Sequence, residues 1–166
     1  MKRTDKSIST RTYNNLLGRI AEILNQARSK VVREINRAQV LAYWEIGREI
    51  VEFEQKGKSR GEYGERLIER LSEDMTKKFG RGFSSTNLKM MRLFYQSFPI
   101  RQTLSDESQK PQTVSAKFEP MLSWSHYCEL LKVEEPLARS FYEQEAIQNN
   151  WSVRELKRQI NSMLFE

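Results

Sequence analysis

From Thr12 to Gln55 the chain repeats apolar side chains every three or four residues, and no proline interrupts the run. Leu16, Ile20, Ile23, Ala27 and Val31 begin the stripe. Ile35, Ala38, Ala42, Ile46, Ile50 and Phe53 continue it. This is the period of an α-helix, not the alternation of a strand. Gly18 and Gly47 weaken the pattern without ending it. The spacing predicts one long helix, or a pair of helices with a break near Ser29 to Arg33. So long a pattern suits a coiled-coil-like seam or a self-association surface as well as it suits a core helix. Ile23 and Val31 are the candidate oligomerisation residues, at the seam of a possible homodimer.

The rest of the chain also reads as helical. Glu65 to Phe79 carries Ile68, Leu71, Met75 and Phe79 on one face, and Gly80 stands where a helix ends in a left-handed residue. Ser84 is a good N-cap for a helix over Ser85 to Phe98, which Pro99 stops. Two helices joined by a short glycine-containing turn have the outline of a helix-turn-helix. Residues 99–120 are polar and aperiodic, and read as a loop or linker. Three short helices follow: Ser123 to Val133, Pro136 to about Asn149, and one capped by Ser152 with Glu155 completing a capping box. Three Trp, six Tyr and eight Phe supply side chains for a core. The expected fold is all-α: a long N-terminal helix or helix pair, a helix-turn-helix-like pair, then three short C-terminal helices. Residues 1–98 hold the long segment and the pair, and residues 121–166 form the C-terminal helical part of the same domain.

The net charge of +6 has an address. Lys77, Lys78, Arg81, Lys89, Arg92 and Arg101 fall in a window without Asp or Glu, which leaves 22 basic against 22 acidic residues elsewhere. Such clustering is the electrostatic footprint of a nucleic-acid contact, or of a solvated basic face without a partner. The helix from Ser85 supports the first reading. Leu88, Met91, Tyr95 and Phe98 share one face; Ser85, Lys89, Arg92 and Gln96 share another, made only of hydrogen-bonding side chains. Arg92 suits guanine and Gln96 adenine, while Ser84, Ser85 and Lys89 suit phosphate or base edges. Lys77, Lys78 and Arg81 would meet the backbone of DNA.

Other chemistry is poorly represented. One Cys and one His supply neither an intrachain disulfide nor a four-ligand zinc site. The only close glycine pair, Gly80 and Gly82, makes no phosphate-binding or dinucleotide pattern. His126 and Cys128 stand two apart, so on one helix they diverge and read as packing residues. Trp124 and Trp151 are likewise expected to be structural, Trp151 as a hydrophobic staple toward Leu156. Two Glu-x-Lys triplets, at Glu54 and Glu155, lie in helical pattern, where the two side chains cannot share a metal site as they do on a strand. No catalytic or metal-binding residue is therefore assigned within residues 1–166. No apolar run reaches the length of a membrane span, and the basic start leads into no apolar signal region. The expectation is a cytoplasmic protein with no membrane partner.

Five segments carry a resemblance: YWEIGREIVEFEQ from Tyr43, YGERLIERLSEDM from Tyr63, GFSSTNLKMMRLFYQSFP from Gly82, LSWSHYCELL from Leu122 and WSVRELKRQINSMLFE from Trp151. Together they resemble the N-terminal helical domain of the bacterial YhcG family, a group of predicted PD-(D/E)xK nucleases. The resemblance implies an N-terminal module that precedes a nuclease domain, expected after residue 166 and absent from this chain. It implies a divalent metal only in that absent domain, and no cofactor in this one. The function expected here is DNA binding, targeting and assembly for the nuclease, with DNA and the chain's own C-terminal nuclease domain as partners. The alternative is a protein-interaction or oligomerisation module with no direct DNA contact.

Overall fold

A computed structural model describes residues 9–57, 62–98 and 119–165. Among them lie six α-helices and no strand: α1 (Thr10–Lys56), α2 (Glu62–Phe79), α3 (Ser85–Ser97), α4 (Trp124–Leu130), α5 (Pro136–Gln148) and α6 (Val153–Asn161). The long periodic segment is thus one helix, without a break near Ser29 to Arg33. The chain divides into two compact units between Ile35 and Asn36.

In the larger unit, the buried face of α1 differs from the stripe read in the sequence. Val40, Trp44, Gly47, Ile50 and Val51 are buried, whereas Ala38, Ala42 and Phe53 are exposed. The reason is α3. A Cβ placed on Gly47 would lie 2.1 Å from the Met91 carbonyl oxygen, so this glycine lets the two backbones meet. The bulkier Val40 and Trp44 then face the core. Trp44 Nε1 donates to the Phe98 carbonyl at 2.8 Å, which spends an otherwise orphaned acceptor at the end of α3.

Ile50 joins Ile68, Leu88 and Met91 in a core shared by α1, α2 and α3. Val40, Trp44 and Phe94 join a second cluster with Tyr127 of α4, Tyr142 of α5 and Leu156 of α6. Trp124 lies edge-on to Tyr43 and Phe94, with ring centroids 5.0 and 5.3 Å away. Trp151 packs against the cluster that contains Leu156. Of the expected polar loop, residues 99–118 lie outside the described residues; Glu119 accepts from Arg37 Nη2 at 2.8 Å, and Pro120 is buried.

Local chemistry sets the C-terminal boundaries. α4 is shorter than the expected Ser123 to Val133, and the Val133 carbonyl accepts two bonds from the Arg139 guanidinium, at 2.7 and 3.1 Å. Glu135 caps α5 by accepting from the Leu137 N–H, with Pro136 in the first turn. α5 ends in a Schellman arrangement: Asn150 has φ +50°, and Trp151 N–H reaches the Ala146 carbonyl at 3.0 Å. The capping box at Ser152 is half-formed. Ser152 Oγ accepts from the Glu155 N–H at 3.2 Å, while the Glu155 carboxylate turns to Arg158 and Gln159.

Candidate nucleic-acid interface

The turn between α2 and α3 is held by more than its glycines. Gly80 has φ +82°, and its N–H donates to the Thr76 carbonyl at 2.9 Å, closing α2 as expected of a residue in that place. Gly82 has φ +107°. Ser84 Oγ accepts from the Asn87 N–H at 3.2 Å, so its side chain caps α3. Two residues not singled out in the sequence pin the turn. Ser72 Oγ donates to the Phe83 carbonyl at 2.7 Å. Asn87 donates to the Gly82 carbonyl through Nδ2 and accepts from Trp124 Nε1 at 2.8 Å. Their signal, a polar residue within about two turns of a glycine pair, is too common to read in isolation.

At this turn stand Lys77, Lys78 and Arg81, all exposed. Lys78 Nζ lies 5.5 Å from the centroid of the Phe79 ring. No carboxylate among the described residues pairs with any of the three cations.

The outward stripe of α3 is more engaged. Ser85 is half-buried and Gln96 exposed. Lys89 Nζ lies 3.7 Å from Glu65 Oε1, both side chains being well exposed, so the pair is weak. Arg92 is held more firmly. Its Nη1 donates to Glu54 Oε1 at 2.9 Å, and the two side chains are only 32% and 22% exposed. Gly64 lies beside the pair, and a Cβ there would sit 3.3 Å from Glu54 Oε1. The first Glu-x-Lys triplet thus supplies an anchor for α3. Arg101, at the end of the basic window, lies outside the described residues.

Reactive side chains elsewhere are occupied structurally. The His126 ring spans from Ser123 Oγ (2.7 Å) to the Trp151 carbonyl (2.9 Å). That carbonyl only accepts, so Nε2 carries a proton. Burial, with Glu129 nearby, pushes the Cys128 thiol up to about 11, away from a nucleophilic thiolate. Tyr127 O–H donates to Glu143 Oε1 at 3.2 Å. Burial holds the Glu143 carboxyl above the ordinary carboxylate range, and holds the Tyr127 hydroxyl above its own. Among the described residues no group of three or more His, Cys, Asp or Glu is placed to hold a metal. Among the described residues no helix is long and apolar enough to cross a membrane.

In the smaller unit, residues 10–35 present an apolar face to solvent. Ile23 is 65% exposed and Val31 57%, with Leu16, Leu17, Ile20 and Leu24 also exposed.

The description "DUF1016 N-terminal domain" matches residues 19–166. The chain belongs to this family, the N-terminal domain of YhcG-type proteins. A relative from Escherichia coli (strain K12), named "Putative nuclease YhcG", is 42% identical over 176 aligned positions. The match covers 95% of this chain and 47% of the relative, so the chain spans about half of that protein's length. No solved structure matches.

Proposed function

We propose that this chain is the nucleic-acid-binding and assembly module of a nuclease, acting on DNA through the α2–α3 turn. The observation that carries the reading is the exposed trio Lys77, Lys78 and Arg81, without carboxylate partners among the described residues, beside a turn braced by Ser72, Ser84 and Asn87. Cations presented on a fixed turn suit phosphate contact, which sets affinity and position more than sequence. Ser85, Lys89 and Gln96 extend the contact along α3 as a helix-turn-helix would. Arg92 serves as a positioning residue, because reading a base requires it to leave Glu54. Catalysis, and the divalent metal it uses, belong to a nuclease domain outside this chain. That assignment is supported by the name of the relative and by its greater length. The exposed apolar face of residues 10–35 supports the assembly half of the proposal, a homodimer with Ile23 and Val31 at its seam.

Titration of this chain with duplex DNA at several salt concentrations tests the proposal. Replacing Lys77, Lys78 and Arg81 by Ala is expected to flatten the slope of log K against log salt by up to about three. Lys56→Ala, outside the turn, is expected to change it much less. Absence of affinity at low salt, or equal effects of the two variants, would leave the protein-interaction alternative in its place.

A further inference from the structure

The homodimer just proposed needs a surface that receives the exposed apolar face of residues 10–35. Between Ile46, Ile50 and Phe53 of α1 and Leu67, Leu71 and Met75 of α2 runs an apolar groove of about 500 Å³. It lies wholly within the larger unit. Glu45, Glu49 and Glu52 rim it, with Lys56 at one end. Arg48 lies among these acids and pairs with them, at 2.6 Å from Glu45 Oε2. From Ile46 to Phe53, or from Leu67 to Met75, the groove offers roughly two helical turns, about 12 Å.

Residues 16–24 have the same length and the complementary surface. At about 100° per residue, Leu16, Leu17, Ile20, Ile23 and Leu24 fall within an arc of about 120°. A two-stranded coiled coil uses a narrower seam, and an arc of this width suits contact with two helices at once. Arg19 and Lys30 border one edge of the arc and Arg28 the other, while Glu22 lies on the opposite side. From Leu16 to Lys30 the charged residues are Arg19, Arg28 and Lys30 against Glu22, a net positive stretch, whereas the three carboxylates of the rim outnumber Arg48 and Lys56.

We propose that residues 16–24 of a second copy of this chain occupy the α1–α2 groove, and that the exchange is reciprocal across a two-fold dimer. Each copy would contribute one apolar segment, continued by the basic Arg28 and Lys30, and one groove with a net acidic rim. A two-fold interface makes both contacts at once. The inference rests on the self-association proposed above and adds to the seam at Ile23 and Val31 a contact between two unlike surfaces.

Two single variants of the full chain separate the possibilities by analytical ultracentrifugation. Ile20→Asp damages the segment, and Phe53→Glu damages the groove at a side chain 52% exposed, so that the fold tolerates the change. Circular dichroism and thermal melting of each variant check the fold. Each variant alone is expected to self-associate at least about 100-fold more weakly than wild type. Mixed, they are expected to form a heterodimer, because one intact segment then meets one intact groove. If Phe53→Glu dimerises like wild type, the segment pairs elsewhere and the groove assignment fails while self-association stands. If wild type itself stays monomeric at high concentration, self-association and the groove fall together.

Discussion

The two halves of α1 have similar apolar periodicity and opposite fates. In residues 36–56, Val40 is fully buried, and Trp44, Ile50 and Val51 are at most 7% exposed. In residues 10–35, Leu16, Ile20, Ile23 and Val31 are each at least 46% exposed. Helical periodicity records that a face has been built for burial, not what buries it. The first half-helix meets its own chain, whereas the second keeps a face that is costly to leave in water if nothing covers it. Packing separates them, and at Gly47 the backbones of α1 and α3 meet with no room for a side chain.

The comparison breaks most sharply at that glycine. Gly47→Ala adds one carbon that would meet the Met91 carbonyl oxygen at 2.1 Å, a backbone atom that cannot rotate away. Alanine improves helix propensity by about 1 kcal/mol. Separating α1 from α3 outweighs that gain, and a net loss of about 3 kcal/mol is expected in denaturant unfolding. Gly18, with nothing within 4 Å, reverses the sign. Gly18→Ala is expected to be neutral or to stabilise the helix by up to about 1 kcal/mol.

Much of the architecture was legible because it rests on local chemistry. The helical period, Pro136 in the first turn of α5, Ser84 and Ser152 as caps, and Gly80 at the end of α2 all act within a few residues of themselves. What was not legible depends on partners distant in sequence. The register of α1 followed Ala38 and Ala42 in the sequence, because Gly47 gives no sign of Met91 until α3 is in place. Glu54 looked like part of a common triplet, and its role appears only with Arg92, 38 residues away. Glu155 was read as half of a capping box, whereas its carboxylate is taken by Arg158 and Gln159. At the candidate site the basic residues were readable as a charge window; which of them are already paired was not.

Smaller effects sharpen the contrast between firmly and weakly paired charge. Arg92→Ala removes a charged hydrogen bond and leaves a half-buried Glu54 without its partner, so a loss of about 2 kcal/mol is expected. Lys89→Ala, at an exposed contact, is expected to cost under about 0.5 kcal/mol. If DNA affinity falls equally in both while only Arg92→Ala is destabilised, Arg92 contacts DNA as well as Glu54. Glu143 gives a pH signature. Its carboxyl is raised in the fold, mainly by burial, with the bond from Tyr127 working in the opposite direction. The raised value favours the protonated form when folded. Its stabilising contribution is therefore complete below the ordinary carboxylate value, and is lost as pH rises through the raised one. Glu143→Gln keeps an oxygen for the Tyr127 hydroxyl but cannot ionise. It is expected to gain stability relative to wild type between mildly acidic and neutral pH, by less than the Arg92 loss, in urea unfolding at the two pH values.

The smallest expected effect is the most discriminating. Val31 and Val40 are both valines on α1, the first 57% exposed and the second fully buried. Val31→Ser trades one side chain of modest helix propensity for another in open solvent, so at concentrations where the chain is monomeric it should change stability by less than about 0.5 kcal/mol. Val40→Ser removes buried methyl groups and introduces a hydroxyl into an apolar cluster, and should cost about 3 kcal/mol. The difference belongs to the monomer and must persist on dilution. The effect of Val31→Ser should instead grow with protein concentration, because association stabilises only the folded state that presents the face. Thermal melts over a hundredfold concentration range measure both. Equal losses at the lowest concentration would mean that this chain already covers Val31, and that the two halves of α1 differ in degree only. A Val31→Ser cost that rises with concentration, beside a constant Val40→Ser cost, assigns the exposed face to a second molecule.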